Sequence, residues 1–171
     1  MTIPVKKLDE EAILPTRNYS TDAGLDLYAL EDVSIVPGDI GKVKTGVAIA
    51  IPKNHVGLIM DRSGLGSKGY KIFGGVIDHG YTGDCTVCIG TMKTVNWFQY
   101  MVSMFTKLVL PNFNSECSKI ADDVCKDTLV IKRGDKIAQL VIVPILTEDV
   151  VEVDELPPSE RGNKGFGSSG K

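Results

Sequence analysis

Short apolar runs, each ended by a tight turn of Gly, Pro or Asp, limit the fold of this chain more than any other feature. From Gly41 to Ile51 apolar residues recur at alternate positions, and Lys42 and Lys44 occupy positions between them. This period of two predicts a half-buried β-strand. The same pattern of strand and turn recurs at 56–64, 71–80 and 130–145. We therefore expect an all-β fold, a β-sandwich, barrel or jelly roll, rather than a βαβ arrangement.

The segment 137–145 is apolar at odd and even positions alike. This pattern predicts a strand whose two faces are both covered by protein. The 171 residues, of which 43% are apolar, are enough for one hydrophobic core. We therefore expect a single β domain over residues 1–156, and a subunit contact is one way to cover the second face of this strand.

The charge balance excludes some partners. Lys and Arg number 19 against 22 Asp and Glu, a formal charge of −3, so no broad basic surface is available for a nucleic acid.

The chain has no basic leader and no run of about 20 apolar residues, so we expect a soluble, cytoplasmic protein. Its four cysteines are too few for a disulfide scaffold and too unevenly spaced for a zinc ribbon.

Two segments depart from the strand pattern. Within 95–109, apolar residues fall at i, i+4, i+7, i+8 and i+11 from Trp97, which predicts a helix that Pro111 ends. We therefore expect a helical insert at about 94–127. The tail 157–171 is rich in Gly, Ser and charge, and we expect a flexible arm.

Five motifs have the composition of a phosphate-binding site. They are AGLDLYA (23–29), RSGLGSKG (62–69), GVIDHGYTGD (75–84), RGDKIAQL (133–140) and RGNKGFGSSG (161–170). In order and character these motifs resemble those of the trimeric dUTPases, and the resemblance covers about 140 residues outside the insert. It implies a jelly-roll fold of that type and hydrolysis of dUTP to dUMP and pyrophosphate. That reaction limits the incorporation of uracil into DNA and supplies dUMP for thymidylate synthesis.

The second and fourth motifs carry candidate phosphate ligands. A guanidinium, a hydroxyl and glycines that allow close approach of backbone N–H groups make RSGLGSKG a plausible phosphate cradle. By resemblance, Arg62, Ser63 and Gly64 contact the triphosphate, and Gln139 binds a phosphate oxygen or the water network. Asp61 precedes this motif at a position where the family more usually has proline.

The third motif carries the candidate catalytic residue. A carboxylate beside a phosphate can hold and deprotonate a water molecule, and Asp78 has that role in the family pattern. Tyr81 is expected to lie against the deoxyribose and to exclude a ribose 2′-hydroxyl. Main-chain groups of Gly75, Val76 and Ile77 are expected to read the uracil edge.

The resemblance also assigns roles to the arm and to a metal. Arg161, Gly167, Ser168 and Ser169 are expected to bind the phosphates, and Phe166 to stack on the uracil ring. The cofactor is expected to be Mg²⁺, held chiefly by the triphosphate and by waters, with Asp26 acting on it indirectly through water. Each active site is expected to draw on three subunits of a homotrimer.

The insert and the reaction leave alternatives open. The connection at 85–133 is roughly thirty residues longer than in ordinary family members, which indicates an added role. Similar inserts occur in some phage-encoded members, which would place the protein in the host cytoplasm. The insert can pack within the trimer, bind a protein partner or contact a membrane, and its few flanking cations argue against a membrane. A dCTP deaminase and a regulatory scaffold acting through the insert are the competing functions.

Overall fold

The computed structural model of the protein describes residues 2–91, 98, 101, 105, 127–159 and 162. In this part of the chain the regular elements are eleven short β-strands and one helical turn, and Phe98, Met101, Phe105 and Asp127 also have helical backbone. The strands are β1 (Val5–Lys7), β2 (Leu25–Tyr28), β3 (Val33–Ile35), β4 (Ile40–Val43), β5 (Val47–Ile49), β6 (His55–Met60), β7 (Tyr70–Ile72), β8 (Val76–Ile77), β9 (Val87–Thr91), β10 (Leu129–Ile131) and β11 (Lys136–Pro144), and the helical turn is α1 (Ser63–Gly66). The all-β prediction is confirmed.

The strands pair in four antiparallel groups. The largest has the order β2-β11-β6-β8 and a second has the order β4-β9-β7, while β1 pairs with β5 and β3 with β10. The buried core contains residues from all four groups, among them Leu27, Val47, Ile89 and Ile131. The hydrophobic core is therefore common to all of these groups.

The run from Gly41 to Ile51 is buried as predicted, but it is not a single strand. Its alternate residues Val43, Thr45, Val47, Ile49 and Ile51 are each at most 2% exposed. The strand breaks after β4 because the backbone at position 46 has a φ of 69°, in the left-handed region that favours glycine. As a result β4 pairs with β9, whereas β5 pairs with β1.

Strand β11 lies between β2 and β6 in the largest sheet, and its two halves differ in burial. Ile137, Ala138 and Leu140 are almost fully buried, as predicted for a strand covered on both faces. The second half is less buried, because residues 141–143 are only half-buried and Pro144 is exposed. The prediction of two covered faces thus holds within one chain only for the first half of the strand.

The register of this sheet brings three of the five motifs together. Gln139 on β11 lies opposite Asp26 of β2 on one side and Met60 of β6 on the other. The chain leaves β6 at Met60 and two residues later reaches Arg62, the N-cap residue of α1. Motifs one, two and four therefore meet at one end of the sheet.

The predicted helix at 95–109 and the predicted arm at 157–171 lie mostly outside the described residues. Phe98, Met101 and Phe105 have helical backbone, as the periodicity predicts. In the described part of the chain, no helix has the length and apolar character needed to cross a bilayer.

Candidate active site

A polar cavity of about 450 Å³ opens at the end of the sheet where β2, β11 and the start of α1 meet. It contains residues of motifs one, two and four, together with the preceding loop at 18–22. The lining residues are Asn18, Asp22, Ala23, Gly24, Asp26, Arg62, Ser63, Lys136 and Gln139. We call it the polar cavity.

Asp26 organises the charges of the polar cavity. Its neighbours on β2, Leu25 and Leu27, are buried in the core, so the alternation of the strand turns Asp26 to the other side. Arg62 Nε donates to its Oδ1 at 2.9 Å, and Lys136 Nζ donates to its Oδ2 at 2.7 Å. The hydrogen bond from Lys136 raises the pKa of that ammonium. One carboxylate therefore holds two cations at the cavity wall.

Arg62 connects this charge network to the helical turn. It is the N-cap residue of α1, and its Nη1 donates to the Lys136 carbonyl at 3.1 Å. These two bonds use two of the five N–H donors of a guanidinium, and the other donors suit an anionic oxygen. Ser63 and Gly64 follow at the exposed start of the turn.

Gln139 finds its hydrogen-bond partner in the main chain. Its Nε2 donates to the Asp61 carbonyl at 2.8 Å. A Cβ added at Gly24 would lie 2.4 Å from Gln139 Oε1, so any other residue at position 24 would displace this amide. The amide thus ties β11 to the residue that precedes the turn of motif two.

A second cavity, of about 240 Å³, lies beside β8 and the hairpin of motif three. We call it the hairpin cavity. Its lining is Ile59, Phe73, Gly74, Gly75, Val76, Ile77, Asp78, Tyr81, Asp84, Cys85, Thr86 and Cys88. The carbonyl of Gly75 accepts a 2.7 Å bond from Ile59 N, and a Cβ there would lie 2.7 Å from Ile59 O. Glycine is therefore required for the close approach of these two backbones.

The Tyr81 ring lies against the backbone of its own loop. Its hydroxyl donates to the Asp84 carbonyl at 3.0 Å. The Asp84 carboxylate in turn accepts bonds from Gly46 N at 3.1 Å and from Thr45 Oγ1 at 3.3 Å. Asp84 therefore anchors the loop of motif three to the break between β4 and β5, and it positions the aromatic ring.

Asp78 is exposed at the end of β8, at the mouth of the hairpin cavity. Its carbonyl accepts a bond from Tyr81 N at 3.2 Å, and Gly80, with a φ of 92°, completes the tight turn. The ring of His79 is held elsewhere, because its Nδ1 lies 2.7 Å from the Ile51 carbonyl oxygen. Of these adjacent residues, Asp78 is the one that lines the cavity.

The predicted site residues fall into two groups within one chain. The polar cavity contains Asp26, Arg62, Ser63 and Gln139, whereas Gly75, Val76, Ile77, Asp78 and Tyr81 line the hairpin cavity. The two cavities have no lining residue in common. The predicted arm residues Arg161, Phe166, Gly167, Ser168 and Ser169 lie outside the described part of the chain.

The cysteines of the CxxC sequence are free. Burial raises the pKa of the Cys85 thiol to about 12, and the nearby Asp84 charge adds to this effect. Within the residues that the structure describes, no group of three or more His, Cys, Asp or Glu side chains is arranged to hold a metal ion. Asp26 bonds Arg62 through one oxygen and Lys136 through the other, and each oxygen keeps a lone pair for a water, which suits indirect contact with a hydrated Mg²⁺.

Sequence reasoning left three charged residues of the site without a role. Lys136 stands immediately before a buried strand, and Asp84 ends motif three. Asp61 was noted only as a departure from the usual proline. A charged residue next to an apolar run is the signal that they share, but a sequence does not tell which partner such a residue contacts.

Comparison with protein families matches residues 10–100 and 111–170 of this chain to the dUTPase family. A similar relative is the deoxyuridine 5′-triphosphate nucleotidohydrolase of Corynebacterium glutamicum. It is 38% identical over 172 residues, which cover 99% of this chain and 95% of that one.

Two solved structures are also similar. A mutant of the Staphylococcus bacteriophage 80alpha dUTPase with dUpNHpp matches with a TM-score of 0.78 and 34% identity over 99% of both chains. A mutant dUTPase from phage phi11 of S. aureus matches with a TM-score of 0.70 and 31% identity, over 92% of this chain and all of that one. That structure reveals the coordination of a structural Mg(II) ion.

Proposed function

The chain belongs to the dUTPase family, and from this premise we propose how its residues hydrolyse dUTP to dUMP and pyrophosphate. Its fold is the all-β, jelly-roll type of that family. The observation that carries the assignment of roles is the separation of the predicted residues into a polar cavity and a hairpin cavity. The polar cavity suits a triphosphate, and the hairpin cavity suits a base and its sugar. The deaminase alternative is not favoured by the family match.

The complete active site forms between chains of a homotrimer, with the polar cavity of one chain facing the hairpin cavity of its neighbour. The absence of any shared lining residue between the two cavities supports this arrangement. The exposed apolar residues between β11 and the predicted arm support it as well, because Leu146, Val150 and Leu156 are 87%, 100% and 83% exposed in a single chain. Subunit contacts would bury them.

The polar cavity binds the triphosphate. Arg62 directs its remaining N–H donors at the phosphate oxygens, while Ser63 and Gly64 supply a hydroxyl and backbone N–H groups. Gln139 keeps one amide hydrogen for the phosphate or its water shell. Bound Mg²⁺ supplies charge neutralisation of the phosphates, and Asp26 is the residue that would hold it through water.

The hairpin cavity binds the nucleoside. The backbone of Gly75, Val76 and Ile77 reads the uracil edge, and the Tyr81 ring covers the sugar where a 2′-hydroxyl would clash. The arm completes the site, with Arg161, Gly167, Ser168 and Ser169 on the phosphates and Phe166 on the uracil ring. Closure of the arm fixes the geometry of attack and expels water.

Asp78 is the general base. Its carboxylate accepts a proton from a water molecule, whose oxygen attacks the α-phosphorus. The bond from this phosphorus to the oxygen that bridges the α- and β-phosphates breaks, and pyrophosphate leaves. Asp78→Asn retains the shape of the residue but removes the base. We expect turnover to fall by at least about a hundredfold while dUTP binding changes little.

Stopped assays of pyrophosphate release and calorimetric titration with a non-hydrolysable dUTP analogue test this role. Asp39→Asn is the matched control, because Asp39 is exposed and lies in neither cavity. Near-normal turnover of Asp78→Asn rejects Asp78 as the base. Parallel assays with dCTP, dTTP and UTP, with and without Mg²⁺, define the substrate range, and release of ammonia from dCTP without pyrophosphate from dUTP rejects the proposed function.

Mixing two inactive variants tests the shared site. Asp78→Asn chains have an intact polar cavity, and Arg62→Ala chains have an intact hairpin cavity. In equally mixed trimers a site that takes one cavity from each chain has roughly one chance in four of being intact, so about a quarter of the wild-type activity should return. If each site lies within one chain, refolding the mixture restores none.

The insert contributes a surface for a protein partner. Phe98, Met101 and Phe105 have helical backbone at spacings of three and four, so they lie on one face, and they are 77%, 64% and 67% exposed. Deletion of residues 95–126 tests this role. Retained hydrolysis by the deletion variant supports a separate binding surface, whereas loss of both trimer and hydrolysis assigns the insert to subunit packing.

A further inference from the structure

Asp61 makes three bonds at the point where β6 ends and the turn of motif two begins. Its Oδ1 accepts a bond from Ile72 N at 2.7 Å, and its carboxylate also forms an ion pair with Lys71 Nζ. Its carbonyl accepts the bond from Gln139 Nε2 at 2.8 Å. One residue is thus joined to β7, to β11 and, through the chain, to Arg62.

These bonds close residues 61–72 into a ring. Asp61 and Lys71 line a third cavity, of about 290 Å³, together with Gly74, Gly75 and Val76. Gly75 and Val76 belong to the segment that reads the base in the proposed function. The carboxylate therefore fixes the entry to the phosphate-binding turn relative to the entry to the base-reading segment.

We propose that Asp61 is a positioning residue for dUTP hydrolysis, which sets the placement of the phosphate-binding turn relative to the base-reading segment. This inference rests on the proposed function. In the trimer, the turn of one chain faces the base segment of a neighbour. Because all chains are identical, a shift of the turn within each chain displaces it in every site. A displacement near 1 Å costs up to about a hundredfold in rate, because phosphoryl transfer depends on alignment.

The two side-chain bonds of Asp61 contribute unequally. The bond from Ile72 N joins a backbone donor to a carboxylate whose side chain is only 27% exposed, which is the stronger, charge-assisted type. The Lys71 side chain is 56% exposed, and ion pairs in solvent contribute little. Burial opposes ionisation of Asp61, but the bonds from Lys71 and Ile72 outweigh it and hold the pKa below its ordinary value. The acceptor is therefore charged at neutral pH.

Ligands that occupy one half of the site distinguish positioning from a general structural role. Tripolyphosphate with Mg²⁺ needs only the phosphate-binding turn, deoxyuridine needs only the base segment, and dUTP must span both. The variants are Asp61→Ala, which removes both side-chain bonds, Asp61→Asn, which keeps an oxygen for Ile72 N, and Lys71→Met, which removes only the ion pair. Glu31→Gln and Lys42→Met are the controls, because each removes one charge from an exposed residue outside the site.

We expect Asp61→Ala to lower kcat/KM for dUTP by roughly 10- to 100-fold, mainly through kcat, while the Kd values of tripolyphosphate and deoxyuridine change by less than about twofold. Asp61→Asn should recover most of this loss, and Lys71→Met should stay within about threefold of wild type. Circular dichroism and Tm measurements identify any variant that fails to fold. In that case Asp61→Glu, which keeps the charge but moves the carboxylate by one methylene, carries the test through the same contrast between spanning and half-site ligands.

Two results overturn the inference. One is a kcat/KM for Asp61→Ala that equals those of the controls. The other is an equal loss of affinity for dUTP, tripolyphosphate and deoxyuridine, which assigns Asp61 to general stability. Failure of the wild-type chain to hydrolyse dUTP instead refutes the proposed function, so the two failures are distinguishable.

Discussion

Substitution of Gly83 by alanine tests how the loop of motif three holds the Tyr81 ring. A Cβ at position 83 would lie 2.5 Å from Tyr81 Oη and 2.7 Å from Cζ. Ordinary contact begins at 3.4 Å, so the ring must retreat by about 1 Å. The ring is free to do so because Tyr81 is 48% exposed. The backbone at position 83 does not have a positive φ, so alanine is compatible with it.

The substitution should change selectivity far more than stability. Loss of the bond from Tyr81 to the Asp84 carbonyl lowers the free energy of unfolding by about 0.5–1.5 kcal/mol. The exchange of Gly for Ala raises it by about 0.4–1 kcal/mol, because alanine reduces the conformational entropy of the unfolded chain. Retreat of the ring removes the steric barrier to a 2′-hydroxyl and loosens the fit of deoxyribose. We expect the ratio of kcat/KM for dUTP to that for UTP to fall at least about tenfold, which is about 1.4 kcal/mol.

The assay compares pyrophosphate release from dUTP and from UTP under identical conditions, with Tm measured on the same samples. Tyr81→Phe removes the hydroxyl but leaves the ring over Gly83, so its selectivity should lie between wild type and Gly83→Ala. Thr82→Ala is the control in the same loop, because Thr82 is exposed. A selectivity ratio for Gly83→Ala within twofold of wild type refutes the reasoning, and so does a larger effect in Thr82→Ala.

Three further predictions concern the β4–β5 break, the cysteines and pH. Gly46→Ala should lower the free energy of unfolding in urea by about 1–3 kcal/mol, because a residue with a Cβ is strained at a φ of 69° and this Cβ would lie 2.9 Å from Ala12 Cβ. An unchanged midpoint of urea unfolding contradicts this prediction. At pH 8, iodoacetamide should label Cys85 of the native protein far more slowly than Cys88, because burial raises the pKa of the Cys85 thiol to about 12. Mass spectrometry measures both rates, and equal rates argue against the burial of Cys85. The folded pKa of Asp61 lies below its ordinary value of 3.8, so its stabilising contribution should be present above pH 3.8 and lost as pH falls through the folded pKa. The difference in unfolding free energy between wild type and Asp61→Asn should shrink over that acid range, and a constant difference contradicts the pKa shift.

The sequence predicted the β-class and the buried positions because period-two patterning depends on local spacing. The alternation from Val43 to Ile51 matched the buried residues in the structure. The break at Gly46 was missed, because any glycine in a strand pattern is compatible with either a continuous strand or a turn. The left-handed backbone at Gly46 ends the strand, and it is held by the bond that Gly46 N donates to the carboxylate of Asp84, 38 residues along the chain.

The motifs predicted which residue types serve the site, but not how they are grouped. Arg62 and Asp26 are 36 residues apart and meet only because β11 pairs with β2 on one side and with β6 on the other, which brings their elements to one end of the sheet. The separation of Asp78 from Arg62 into different cavities follows from the same topology, and no local pattern reports it. The role of Asp61 depends on the bond from Ile72 N, eleven residues along the chain, and the spacing of residues in the sequence does not predict this contact.

The position of the insert explains how this fold can accept so much additional chain. Strand β9 ends at Thr91 and β10 begins at Leu129, which leaves 37 residues between two strands that pair with different partners. For a connection of that length in place of about seven residues, chain closure costs only about 1.5 kcal/mol more. Domains of this kind have about 5–15 kcal/mol of stability. Evolution can therefore lengthen, replace or lose this connection at little cost, so new binding partners can be acquired there without altering the chemistry of the enzyme.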